Sequence, residues 1–330
     1  MGYLIGADIG SQSVKALLLD PDGREVASAG QGAAMSHPAS GWAEQDPAQW
    51  RDGLAATVRQ LITASGIAPA EVTHLGLASQ VDGVVPVDRS LRPIRPAIIW
   101  LDRRASDQAD ALAGKLGADA IFATTGLNAD SSHIAPKIMW LREHEPQTYR
   151  AAVSFPPAGG YLLSWLTGTI AQDHANASST LLYDVSSGTW DDAMLDAAGI
   201  DPGTLAPIRP ASEIAGTLTA AAATALGLDR RCAVVVGTGD EHGACLGAGA
   251  IVPGLVADVT GTAEPVAVTA PGPVFDAERV VETHAHAITG LLLVENPGFV
   301  SGGCTLWCGE NILGIDQAGL FAQAALAPPG

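Results

Sequence analysis

The opening thirty residues constrain the chain most. Residues 3–9, 14–19 and 24–28 read as strands separated by two tight turns, Gly10-Ser11-Gln12-Ser13 and Pro21-Asp22-Gly23, so the chain begins as a β-meander. A helix follows. Asp46 is placed to cap it, Pro47 takes its first position, Gln49 is in reach of a capping-box contact, and Trp50, Leu54, Val58, Leu61 and Ile62 share one face. Further strands are expected at residues 75–79, 84–87 and 97–100, and helices at 106–116, 137–144 and around 160–166. Strands alternating with helices predict an α/β architecture.

Charge and length narrow the partners. With 35 acidic against 17 basic side chains, the net charge is -18, which argues against nucleic acid. The 330 residues fit about two domains, and 47% hydrophobic composition suffices for a sizeable core. The longest weakly polar stretch, residues 214–228, falls short of the ~18–20 apolar residues a spanning helix needs and reads as a buried helix. No basic leader precedes the first strand, so a cytoplasmic location is expected. The cysteines fit a reducing compartment. Cys232 lies in an apolar run, Cys245 follows a Gly-rich turn, and Cys304 and Cys308 fall one helical turn apart; all are expected to pack in a core, since none has zinc spacing.

A second region starts near Ala250. Residues 254–260 read as a strand, Gly261-Thr262 as a tight turn and residues 265–268 as the returning strand, repeating the layout of residues 3–19. Asp8-Ile9-Gly10-Ser11 and Asp258-Val259-Thr260-Gly261-Thr262 each lead an acidic residue into a small, hydroxyl-rich turn. Two related halves and two unrelated hairpins fit this equally.

Such turns expose backbone N–H groups and let a phosphate approach closely. Two of them, residues 10–13 and 260–262, could clasp a polyphosphate. Asp8, at the end of the first strand, could hold Mg²⁺ through water, because that ion keeps much of its hydration. Lys15 could add positive charge; the other lysines are Lys115 and Lys137 alone. Gly237-Thr238-Gly239-Asp240 ends an apolar run, the place where open α/β sheets bind ligands. There Asp240 could accept a proton from a hydroxyl attacking phosphorus, or it could simply cap a helix. Glu241 and His242 read as supporting or exposed residues. His284 and His286 alternate on one strand without a third metal ligand. Gln80 with Asp82, and Trp100 with Asp102 and Arg103, suit a polyhydroxylated ligand, aromatic faces covering C–H surfaces while carboxylates and amides bind hydroxyls.

In order along the chain, these segments resemble the FGGY family of carbohydrate kinases, xylulokinase-like members in particular. Asp8-Ile9-Gly10-Ser11-Gln12-Ser13-Val14-Lys15 is similar to the family's first phosphate motif, and Gly41-Trp42-Ala43-Glu44-Gln45-Asp46-Pro47 to its Trp-x-Glu-Gln-x-Pro stretch. Ser79-Gln80-Val81-Asp82-Gly83 matches its sugar loop in spacing, Trp100-Leu101-Asp102-Arg103-Arg104 its Trp-x-Asp-x-Arg segment, and Gly237-Thr238-Gly239-Asp240 its catalytic-Asp motif. The resemblance implies an actin-like, ribonuclease-H-like ATPase fold with two lobes around a cleft: residues 1–249 as the sugar lobe and 250–330 as the first, incomplete part of the nucleotide lobe, without the Gly-rich adenine segment. It implies ATP and Mg²⁺, with Asp240 as base, Asp8 at the metal, Gly10, Ser11, Gln12, Ser13, Lys15, Thr260, Gly261 and Thr262 at the phosphates, and Gln80, Asp82, Trp100 and Asp102 at the sugar.

One departure concerns the sugar loop, which carries Val81-Asp82 where xylulokinases typically have Met-His; an acceptor-only carboxylate replaces a donor. The expected activity is ATP-dependent phosphorylation of a small sugar or polyol, a pentulose such as xylulose first. The alternative is a sugar-binding or regulatory protein without kinase activity. A homodimer is compatible with either, and neither nucleic acid nor membrane is an expected partner. A dehydrogenase is disfavoured, because Gly-x-Gly-x-x-x-Gly from Gly237 is one residue too long for the dinucleotide fingerprint.

Overall fold

The meander forms one side of a sheet with seven strands among the described residues. In the computed structural model, which describes residues 2–261, 263–298 and 301–328, Tyr3–Ile9 (β1), Ser13–Leu19 (β2) and Glu25–Gly32 (β3) pair antiparallel in succession. Alternate residues point inward, Ile5, Ala7 and Ile9 from β1 and Val14, Ala16 and Leu18 from β2. The chain then runs through the helix Pro47–Ser65 (α1) into Val72–Ser79 (β4), which lies parallel to β1. Asp46 caps α1 by accepting from Ala48 N at 2.9 Å, and Trp50, Leu54, Val58 and Leu61 are fully buried against the sheet. The capping box does not form. Gln49 Oε1 instead accepts from Ala34 N at 3.0 Å, which fastens the end of β3 to the helix.

Ser106–Leu116 (α2), Ile134–His144 (α3), Ala158–Thr167 (α4) and His174–Ser178 (α5) follow. Tyr161, Leu162, Leu163 and Leu166 of α4 join the sheet core, whereas Leu112, Ile138, Met139 and Leu141 build a separate helical core with Leu181, Leu182 and Met194. The sheet is completed by Ile214–Thr217 (β5), Ala233–Val235 (β6) and Thr238–Gly239 (β7), in the order β3-β2-β1-β4-β6-β5 with β7 also on β4.

Two expectations fail here for local reasons. Residues 214–228 are not one helix: Thr219 caps a new helix at Ala220–Leu226 by accepting from Ala222 N, and β5 precedes it with Ile214 52% exposed. Residues 84–87 contribute isolated bridges to Ile98, Pro93 and Ser154 in place of a strand, since Pro86 has no N–H to donate to a ladder.

The helix Asp240–Gly247 (α6) leads to a second, four-stranded antiparallel sheet: Val256–Asp258 (β8), Val266–Ala270 (β9), Glu282–Ala285 (β10) and Leu292–Asn296 (β11), ordered β8-β9-β11-β10. The β8–β9 hairpin has the antiparallel layout expected of it, with Ala257 opposite Ala267. β10 docks on the first part of the chain. Thr283 N donates to Gly126 O at 3.0 Å, Ala285 N to Ser178 Oγ at 3.0 Å, and Glu282 Oε1 accepts from Asn128 N at 2.9 Å. Cys232 and Cys245 are buried as expected. Cys304 is exposed and Cys308 half-buried, because their helix Gly302–Cys308 buries none of its residues. Among the described residues no helix is long and apolar enough to cross a membrane.

Candidate active site

Strand register places the acidic residues. Asp8 and Thr238 both stand opposite Ala78 of β4, and Ile9 and Gly239 both stand opposite Ser79. β1 and β7 therefore end level with each other on either side of β4, two strand spacings or about 10 Å apart. Gly237 makes this alignment, bending the chain between β6 and β7 with φ 81 so that both can pair with β4. A Cβ at this glycine would lie 2.3 Å from Leu77 O. Gly237→Ala is accordingly expected to lower stability by at least about 1–3 kcal/mol, read from the urea midpoint.

Asp240 is the first helical residue of α6, and the capping position belongs to Gly239. One Asp240 oxygen accepts from Glu241 N at 2.9 Å. Burial, with the nearby charge of Asp8 second, pushes the Asp240 carboxyl up to about 7. Asp8 is itself raised by burial, against the pull of Lys15, its cross-strand partner on β2. Asp8 Oδ1 is buried without a hydrogen-bond partner among the described residues.

Both glycine-serine-threonine turns face one cleft of about 790 Å³, lined by Asp8, residues 10–13, Lys15, Thr260, Gly261 and Asp240. Gly10 N donates to Ser13 O at 3.0 Å and closes the first turn; Gly261 N donates to Ala263 O at 2.8 Å in the second. Thr262 lies outside the described residues. Asp82 and Trp100 line the same cleft.

Gln80 and Asp102 do not line it. Gln80 is buried behind the first turn, where its Nε2 donates to Gln45 Oε1 at 2.7 Å and Gln45 Nε2 in turn donates to Ser11 O at 2.7 Å. The glutamine pair supports the phosphate-type turn from beneath. Asp102 is wholly buried: one oxygen accepts from Ala43 N at 2.6 Å, the other from Arg104 N at 2.9 Å, and both meet the Arg104 guanidinium. Its acceptor capacity is consumed inside the protein.

The cleft wall beyond Asp82 was not foreseen. Asp82 adopts φ 60, and the buried Lys137 holds that backbone by donating to Asp82 O at 2.6 Å and also to Ser132 O. Burial pulls the Lys137 ammonium down to about 8, partly opposed by Asp82 and Asp102. His133 Nδ1 lies 3.2 Å from Asp82 Oδ1 and 2.8 Å from Ser179 O. Burial lowers the affinity of His133 for a proton, but Asp82, Glu282 and Asp130 outweigh it and bring its pKa to about 9. The wall thus carries an imidazolium–carboxylate pair, able to donate to one hydroxyl and accept from another.

Glu241, His242, Glu282, His284 and Glu295 also line the cleft. His242 is buried, not exposed, because α6 sits between the two sheets. The sequence signal for the last three was charge in strand interiors: Glu282 and His284 on β10, and Glu295 directly opposite Glu282 on β11. Among the described residues no group of three or more His, Cys, Asp or Glu is arranged to hold a metal ion.

Residues 3–247 match the N-terminal domain of the FGGY family of carbohydrate kinases. A xylulose kinase of Staphylococcus xylosus is 28% identical over 249 residues, covering 76% of this chain and 51% of that protein. A glycerol kinase of Leptothrix cholodnii is 30% identical over 341 residues, covering 100% of this chain and 67% of that protein. The crystal structure of a xylulose kinase from Rhodospirillum rubrum superposes with a TM-score of 0.88 at 28% identity, over 99% of this chain and 68% of that one. The chain spans between half and two thirds of the length of these curated relatives.

Proposed function

The chain belongs to the FGGY family of carbohydrate kinases and has its actin-like, ribonuclease-H-like fold, and from that premise we propose that it serves the ATP-dependent phosphorylation of a small sugar or polyol, a pentulose such as xylulose first, with Asp240 as general base. Residues 1–249 would form the acceptor lobe and 250–330 the beginning of the nucleotide lobe; the family match ends at residue 247 and the second sheet begins at Val256. The observation that carries the reading is Asp240, its pKa raised to about 7, standing just past the end of a strand that is level with the strand of Asp8 and lining one cleft with two phosphate-type turns.

A carboxylate of that pKa is matched to taking a proton from an alcohol near neutrality. The turns at residues 10–13 and 260–261 offer backbone N–H groups and Lys15 a positive charge to the phosphates, so that position and field supply most of the rate. Trp100 would cover C–H surface, while the Asp82–His133 pair would orient a hydroxyl each way. Asp8 fits a hydrated Mg²⁺, since it presents a buried oxygen with no partner among the described residues and this ion takes only one or two carboxylates. When bound, the ion would neutralise charge on the phosphates. Asp8→Asn is expected to weaken Mg²⁺-dependent ATP binding about tenfold or more, by titration calorimetry with and without the metal.

ADP release measured over a panel of ketoses, aldoses and polyols tests the whole reading. Release with pentuloses supports it. Calorimetry that shows acceptor binding but no binding of Mg²⁺-ATP would replace it with a sugar-binding or regulatory role.

A further inference from the structure

Several polar side chains meet at the junction of the two sheets with atoms that have no hydrogen-bond partner among the described residues. His242 of α6 is 1% exposed, and among the described residues neither of its ring nitrogens has a hydrogen-bond partner. His284 of β10 stands edge-on to it, ring centroids 5.9 Å apart. The His284 Nδ1 lies 3.5 Å from Ser179 Oγ and its Nε2 3.3 Å from Glu295 Oε1, but Nε2 is too poorly aligned for a hydrogen bond. Glu295 Oε2 is likewise buried and, among the described residues, has no donor on it; its carboxyl neighbours that of Glu241, whose Oε1 also lacks one. His242, His284 and Glu295 all line the cleft that holds Asp240. A folded interior pairs such groups or replaces them with apolar ones, because each orphan keeps the full penalty of its lost hydration. Several orphans at one cleft wall point to a ligand that completes them.

We propose that His242, His284 and Glu295 form a second hydroxyl-binding wall of the acceptor site, which selects neutral acyclic sugars or polyols of four or more carbons. The proposal rests on the kinase reading of the cleft. A three-carbon acceptor offers one hydroxyl to Asp240 and two to the Asp82–His133 pair, and none is left for this wall. Longer acceptors have hydroxyls to spare. Burial works against charge on all three groups, which suits hydroxyls better than phosphate or carboxylate groups. Burial pushes both imidazoles down, His242 well below its usual range, and burial with the neighbouring Glu241 holds the Glu295 carboxyl well above its own. A neutral imidazole and a protonated carboxyl each present one donor and one acceptor, the complement of an alcohol.

The test is calorimetry on the 330-residue chain without nucleotide, using linear polyols of three to six carbons. For the native chain, affinity is expected to rise at least about tenfold between three and five carbons. His242→Leu and His284→Leu are expected to lose about that tenfold for the five-carbon polyol and to change three-carbon binding less than about twofold, with melting temperatures unchanged or higher because an orphan has been removed. Glu295→Gln, which keeps a donor and an acceptor, is expected to bind as the native chain does, and Glu295→Leu is not. Folded variants that keep the native length dependence, or a native chain that shows none, would overturn the wall. ADP release is read separately. Length-dependent binding with no release on adding Mg²⁺-ATP sinks the kinase reading and leaves the wall standing; release without length dependence does the reverse.

Discussion

Asp240→Asn is expected to fold, to bind acceptor, and to lose about 10²–10⁴-fold in kcat. The amide keeps the shape of the side chain and can still accept from Glu241 N, so the turn from Gly237 into α6 has no reason to move. What it cannot do is take a proton. In the native chain the basic form appears only as pH rises through about 7, because burial and the charge of Asp8 oppose ionisation. kcat/KM should therefore fall about tenfold per pH unit below that point. The same shift has a sign in stability. The folded carboxyl binds its proton more tightly than an unfolded one at 3.8, so the stabilisation from the protonated form is complete below 3.8 and lost as pH rises through about 7. At pH 8 the ionised, partly buried carboxylate costs at most on the order of 4 kcal/mol. Asparagine mimics the protonated state and escapes that cost. Asp240→Asn should thus melt several degrees higher than the native chain at pH 8, and at nearly the same temperature near pH 4. A variant with native turnover, or one that melts lower at pH 8, would remove Asp240 from the role of base.

The parts legible in the sequence were those whose signals are local. Asp46-Pro47 announced α1, and the Gly-Ser turn announced the β1–β2 hairpin, because capping and tight turns are decided within a few residues. Asp240 at a strand end was legible for the same reason. Its distance from Asp8 was not, since that follows from β4 running between β1 and β7 and from the bend at Gly237. Residues 214–228 misled because their Ala-rich composition favours helix throughout, whereas pairing with β6 claims the first four residues as β5. The wall of His133, His242, His284 and Glu295 draws on four separate elements or their flanks. No spacing rule joins residues so far apart, although Glu and His inside β10 and Glu inside β11 marked those strands as facing something polar. Asp102 shows the opposite error: a motif was located, but its side chain points inward.

That inward carboxylate predicts the largest loss of stability in the molecule. Arg104 is fully buried, its guanidinium 3.8 Å from the Trp42 ring centroid and 5.0 Å from that of Trp140, and the two indoles meet edge to face at 5.3 Å. The guanidinium reaches Asp102 Oδ2 at 2.7 Å and Glu44 Oε1 at 2.7 Å. Glu44 has a second ion pair with Arg95, whereas among the described residues Asp102 is ion-paired with Arg104 alone, Lys137 acting on it without contact. Arg104→Met keeps much of the volume between the indoles and removes the charge, so Asp102 remains ionised in a dry interior or must take up a proton. Either way the loss is expected to be about 3–5 kcal/mol, measured by chemical denaturation. The double variant Asp102→Leu/Arg104→Met should be more stable than Arg104→Met alone, because it leaves Glu44 with Arg95 and no orphan carboxylate. Asp102→Asn separates packing from ligand binding. If the carboxylate serves the fold, this variant loses stability while its KM for acceptor, measured at a temperature where it remains folded, stays within about threefold of native. If instead its melting temperature is native and KM rises about tenfold or more, Asp102 meets the sugar after all, and the cleft must open far enough to strip it from Ala43 and Arg104.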